Sequence, residues 1–129
     1  GGPAQSQLEA LAETMNKEWG PKGIHVYYVP DLYFKEKELM KEVMRKHGWP
    51  IDEHGGTDDT SETLYIDKMV NGTHGKWIRP NKLVNGLDGD GTGVIGDQTK
   101  ATLEMGKMFT DAKVTFAVNQ IKQLIAAGK

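Results

Sequence analysis

The sequence predicts an α/β layered domain, and two observations carry that prediction. A run of β-branched and aromatic residues, "GIHVYYVP", is bounded by Gly23 and Pro30 and reads as a buried strand. The segments around it repeat their apolar residues with the helical period, so helix and strand alternate early in the chain. The prediction contains its own deficit: one clear strand cannot make the parallel sheet that such crossovers serve. At 129 residues the chain has the length of a single domain, taken as residues 1–129.

The elements follow in order. Leu8, Leu11, Ala12, Met15 and Trp19 share one face of a first helix, with Pro3 near its start and Gly20-Pro21 as its stop. A second helix is expected over Lys35 to His47, turning Leu39, Met40, Val43 and Met44 inward. Glu42 and Lys46 give it an i,i+4 ion pair, and Gly48 ends it. A third helix is expected from about Thr60 to Val70. Between Asn71 and Gly96 glycines crowd the chain, and the stretch is too long for a bare connection. Short strands at "KWIRP" and "KLVNG" would account for it. The closing helix is predicted from Gln98 to Ala126, with Asp97 as N-cap and Ala101, Met105, Phe109, Ala112, Phe116, Ile121 and Leu124 on its apolar face.

Composition narrows the function classes. Charged residues make up 26% and the net charge is -2, so no basic field points to nucleic acid. Tyr27, Tyr28, Tyr33 and Phe34 read as packing residues rather than as a base-stacking platform. No apolar stretch approaches the roughly 18 residues of a membrane span. Cysteine is absent, which removes disulfides, thiolate metal sites and cysteine nucleophiles together. The compartment stays open: cytoplasmic, or exported if a signal peptide was removed. The opening "GGPAQSQ" lacks an initiator Met, and a processed product or a piece of a longer protein is the expectation.

One loop concentrates chemistry. In "DEHGGTDDTSETL", Asp52 to Leu64, a histidine, two glycines and two adjacent carboxylates precede an apolar run. Gly55 and Gly56 permit close backbone approach to a ligand. His54 suits proton transfer near neutral pH. Asp58 and Asp59 can orient the imidazole, hold a metal or polarise water, and the helix start favours their charged forms. The structural alternative is that Asp59 caps the third helix, Glu62 reaches back from N3, and His54 is a solvated loop residue. Spacing alone leaves both open.

"HGGTDDTS" resembles the His-Ala/Gly-Gly-x-x-Glu-Thr-Ser signature of the creatininase (creatinine amidohydrolase) family. "GGPAQSQLEALAETMNKEWG" is similar to the family's segment after its Gly-Gly turn, and "IHVYYVPDLYF" to the strand that follows. "GVIGDQTKATLEMGKMF" resembles its Gly-x-x-Gly-Asp-x-x-x-Ala-x-x-x-x-Gly approach to the last helix. The segments come in the family's order and cover almost the whole chain. The resemblance implies a three-layer α/β/α fold around a parallel sheet, incomplete here, and assembly as a homo-oligomer. It implies a metal-dependent amidohydrolase acting on a small-molecule cyclic amide or a related C–N bond. Two divalent ions, zinc or manganese, would activate water and polarise the carbonyl.

Carried over by residue, the resemblance makes His54 the acid/base residue and puts Asp59 at the signature's glutamate, one methylene shorter. Gly55 and Gly56 become substrate-side backbone. Trp49 falls near a substrate-facing tryptophan, one residue out of step. The family's metal ligands lie in its N-terminal half, and Gly2 would stand where creatininase itself has a ligating glutamate. The chain is therefore expected to be the family's C-terminal part. It has no confident metal ligand, Asp58 being only a weak candidate.

Other patterns carry less. "DGDGTG", Asp88 to Gly93, has the oxygens and glycines of a calcium loop, but the position that needs a bidentate glutamate is Thr99. A tight turn is the default there. His74 reads as a loop residue and His25 as a packed or edge residue of the strand. "NGT" is a glycosylation sequon, informative only in a secreted eukaryotic protein. Two function classes follow: a creatininase-like hydrolase unit completed by another segment, or a non-catalytic assembly or interaction module.

Overall fold

The computed structural model describes residues 2–72 and 94–128. Among them the chain is helical and holds no strand, which corrects the α/β expectation and the three-layer α/β/α sheet fold implied by the resemblance. Helix α1 is Gly2–Trp19, α2 is Asp31–His47, α3 is Thr57–Asn71 and α4 is Leu103–Ala126. Short 3-10 turns lie at Gly20–Lys22 and Gln98–Lys100.

The predicted strand is extended but enters no ladder. The backbone of Val26 instead bonds a side chain: its N–H donates to Asn16 Oδ1 at 2.8 Å, and its C=O accepts from Asn16 Nδ2 at 2.6 Å. Asn16 thus takes the place of a neighbouring strand, which explains how a β-prone run persists alone. Further along, the Tyr28 hydroxyl donates to Gln5 Oε1 at 2.7 Å, so α1 lies along this segment. Leu8, Leu11, Met15, Val26 and Tyr28 line an open groove of about 440 Å³ between them. Of the predicted α1 face only Ala12 is buried; Leu8 and Leu11 are exposed.

Pro30 caps α2, which begins four residues earlier than its periodicity indicated; Asp31 in the first turn pairs with Lys35 at 2.5 Å. Proline before a helix fixes the entering backbone, and an acidic first turn suits the dipole. Gly48, with φ +68°, ends the helix in the left-handed conformation. The closing helix is split. Asp97 does cap a helical turn, accepting from Thr99 N at 2.8 Å, but Ala101 and Thr102 are extended. Thr102 then caps α4 afresh through Met105 N at 3.1 Å.

Helix α4 is the centre, packing on both α2 and α3. It runs antiparallel to α2: Asp31 N donates to Gln120 Oε1 at 2.8 Å at one end, and Met44 lies near Met105 at the other. Met40, Met44 and Phe109 form the buried core, with Leu39, Val43, Trp49 and Met105 around it. At the α3–α4 crossing, a Cβ on Gly106 would stand 2.0 Å from the Ser61 carbonyl oxygen. Glycine alone allows that approach.

Two outcomes test this packing by urea denaturation. Phe109→Ala should cost about 3–5 kcal/mol, the range for emptying a buried aromatic site. Gly106→Ala should destabilise by at least about 1–3 kcal/mol, because α3 backbone rather than a mobile side chain blocks the methyl. A neutral Gly106→Ala would mean that the helices do not cross there.

Candidate functional site

The loop joining α2 to α3 is organised by a residue that the motif reading passed over. Asp52 is 1% exposed. Its Oδ2 accepts from Thr57 N at 2.5 Å and its Oδ1 from Asp97 N at 3.0 Å. One carboxylate therefore caps the start of α3 and ties residues 94–97 to it. Charge-assisted bonds to backbone N–H groups are strong ones, and the helix dipole adds to them. The glycines follow from this carboxylate: a Cβ on Gly56 would lie 2.3 Å from Asp52 Cγ, and one on Gly96 2.2 Å from Oδ1. Thr57, also buried, donates its hydroxyl to the Asp97 carbonyl at 2.6 Å.

His54 stands on this platform. Glu53 N and His54 N donate to Ile95 O at 2.8 and 3.1 Å, and Ile95 N donates to His54 O at 2.7 Å. The resulting antiparallel bridge is the β pairing found among the described residues. Gly55 turns the chain at φ +63°, with its N–H donating to Asp59 Oδ2 at 2.8 Å. Thr60 Oγ1 donates to Gly55 O at 3.2 Å and closes the turn. The backbone of His54 is held on both sides while its side chain is exposed.

The capping alternative is half realised. The N-cap position is Gly56, which has no side chain to cap with. Asp59 sits at N3 and reaches back to the turn, the part expected of Glu62. Glu62 faces α4 instead and accepts from Lys113 Nζ at 2.5 Å. Asp58, on the same first turn, is half-buried; burial first, then Asp59 and Asp52, push its carboxyl up to about 6 against the pull of backbone N–H groups. Trp49 is half-buried on the Met40–Met44–Phe109 core, its ring stacked on His47 at 4.4 Å between centroids.

A second polar cluster joins the three packed helices. Glu36 of α2 is 6% exposed, and its Oε2 lies 3.8 Å from the Lys113 ammonium that holds Glu62. Burial drives the Glu36 carboxyl up to about 7, opposed by Lys113 and reinforced by Glu62. Sequence spacing had no means of finding this cluster, since its members come from three helices.

Among the described residues no group of three or more His, Asp or Glu could hold a metal ion. No helix among them is long and apolar enough to cross a membrane. The calcium-like loop at Asp88 to Gly93, His74, the Thr73 end of the sequon and the strands at "KWIRP" and "KLVNG" lie outside the described residues. No family model, curated protein or solved structure matches the chain.

Two carboxylates of this loop and helix start, Asp52 and Asp59, should differ sharply when removed. Asp52→Ala leaves two N–H groups without their acceptor in a buried site, at about 1–3 kcal/mol each. Asp59→Ala removes one exposed reach-back bond and should cost about 1 kcal/mol or less. Equal losses in thermal unfolding would contradict the assignment of Asp52 as the brace.

Proposed function

We propose that the chain supplies the proton-transfer part of an amidohydrolase site of the creatininase type, hydrolysing a cyclic amide or related C–N bond. One observation carries the reading: a pinned turn presents an exposed imidazole beside the acidic start of a helix. A fixed backbone restricts where the imidazole can stand, and its exposure leaves it open to a substrate for proton transfer. The similarity of "HGGTDDTS" to the family signature supports the same residue.

In this reading His54 accepts the proton of the attacking water and returns it to the leaving nitrogen. Asp59 shapes the turn through Gly55 and acts on His54 through position rather than contact. Asp58, half-buried on the same first turn of α3, is pushed up to about 6 by burial and adds negative charge to the helix start above that pH. Ligands for the zinc or manganese that the family uses come from outside the described residues, so no step is drawn through them. This chain, purified and dialysed, should hold less than one zinc or manganese ion; two tightly held ions would overturn that division.

The test supplies zinc or manganese and a polypeptide bearing the family's Glu-x-His segment, then follows ring opening of a cyclic amide. His54→Ala should lower turnover by roughly 10²–10⁴ while leaving thermal unfolding unchanged. Unchanged turnover in that variant would reduce the loop to a structural turn.

A specific observation also favours assembly. Ile66, Met69 and Val70 share a face of α3 and are 49%, 65% and 75% exposed, and Val114, Val118, Ile121 and Ile125 are exposed on α4. Apolar residues grouped in this way mark contact surfaces. We infer a homo-oligomer, whether or not the site is catalytic. A monodisperse monomer at micromolar concentration in light scattering would refute it.

A further inference from the structure

The junction of α2, α3 and α4 contains one ammonium and too many carboxylates. Lys113 of α4 is close to Glu62 of α3 at 2.5 Å and more distant from Glu36 of α2 at 3.8 Å. The charged groups facing Glu36 are Lys113 from α4 and Glu62, Asp58 and Asp59 from α3. Glu36 Oε1 and Glu62 Oε1 are both buried, and neither has a hydrogen-bond partner among the described residues. A buried, ionised carboxylate with a bare oxygen carries a large desolvation cost, and one lysine cannot neutralise two of them.

We propose that Glu36 is a proton-operated latch: protonated, it lets the first turns of α2 seat against α4 beside the charged face of α3, and on losing its proton it loosens them. The neutral carboxyl removes the repulsion from Glu62 and Asp58 and leaves Lys113 to Glu62 alone. The ionised form puts a second anion into the same contact. The C-terminal half of α2 stays anchored by Met40 and Met44 in the core, so the opening is confined to the N-terminal half. The latch is independent of any catalytic reading of His54.

The sign of the pH dependence is fixed by this arrangement. The folded chain keeps the Glu36 proton up to about pH 7, whereas the free side chain loses it near 4.5. The stabilisation is complete below the lower value and is lost as pH rises through the upper one. Asp58, raised from 3.8 to about 6 chiefly by burial, acts in the same direction.

Urea unfolding of the whole chain between pH 4.5 and 8 reads the effect. The unfolding constant should rise by up to about tenfold per pH unit for each such proton and level off above about pH 7. Glu36→Gln should flatten the rise and make the chain more stable than wild type at pH 8. Equal slopes in the two proteins, or a wild-type stability that climbs with pH, would overturn the latch. Should Glu36→Gln fail to fold, the wild-type Glu36 carboxyl can be followed by carbon NMR, and titration at an ordinary glutamate value would overturn it equally. Lys113→Met should move that titration to higher pH. Amide exchange, corrected for its intrinsic pH dependence, should quicken in the first half of α2 at pH 8 and not in α4; a uniform change would show global destabilisation instead of a latch.

Discussion

The buried carboxylate of Asp52 is the constraint on which the loop architecture depends. It satisfies an N–H at the start of α3 and another at the start of the Gln98–Lys100 turn, segments far apart in sequence. A polar group this deep is tolerated because backbone donors replace its hydration. The same closeness explains the two glycines packed against it, since any side chain at Gly56 or Gly96 would occupy the volume of the carboxylate. The bridge from His54 to Ile95 and the hydroxyl bond from Thr57 then complete the clasp.

Helix α4 plays the matching part on the other side of the molecule. It contributes Phe109 to the core, Gly106 to the tight crossing and Lys113 to the charge cluster, three positions on one helix with three different physical tasks. Its separate cap at Thr102 lets the preceding turn answer to Asp52 while the helix itself answers to α2 and α3.

Helix existence was legible in the sequence because the periodic apolar faces were long and bounded by proline and glycine. Met40, Met44 and Phe109 were identifiable as core from that period alone. The strand was misread as part of a sheet because "GIHVYYVP" has the composition of one, while its partner here is an asparagine side chain. Of the loop, a carboxylate reaching back from N3 was expected, but of Glu62 rather than Asp59, and the role of Asp52 was not foreseen. A carboxylate that caps a helix from five residues upstream lies outside the usual capping window, and its second partner is 45 residues away. Residues 94–97 looked like the approach to a helix and proved to be the other half of the clasp.

The way His54 is mounted has an evolutionary consequence. Its amide and carbonyl are both engaged by Ile95, whereas its imidazole points outward. What the fold requires of this position is a backbone, which any residue other than proline can provide. Side-chain identity at position 54 is thus free of the folding constraint, and new chemistry could be sampled there by single substitutions without first repairing the scaffold.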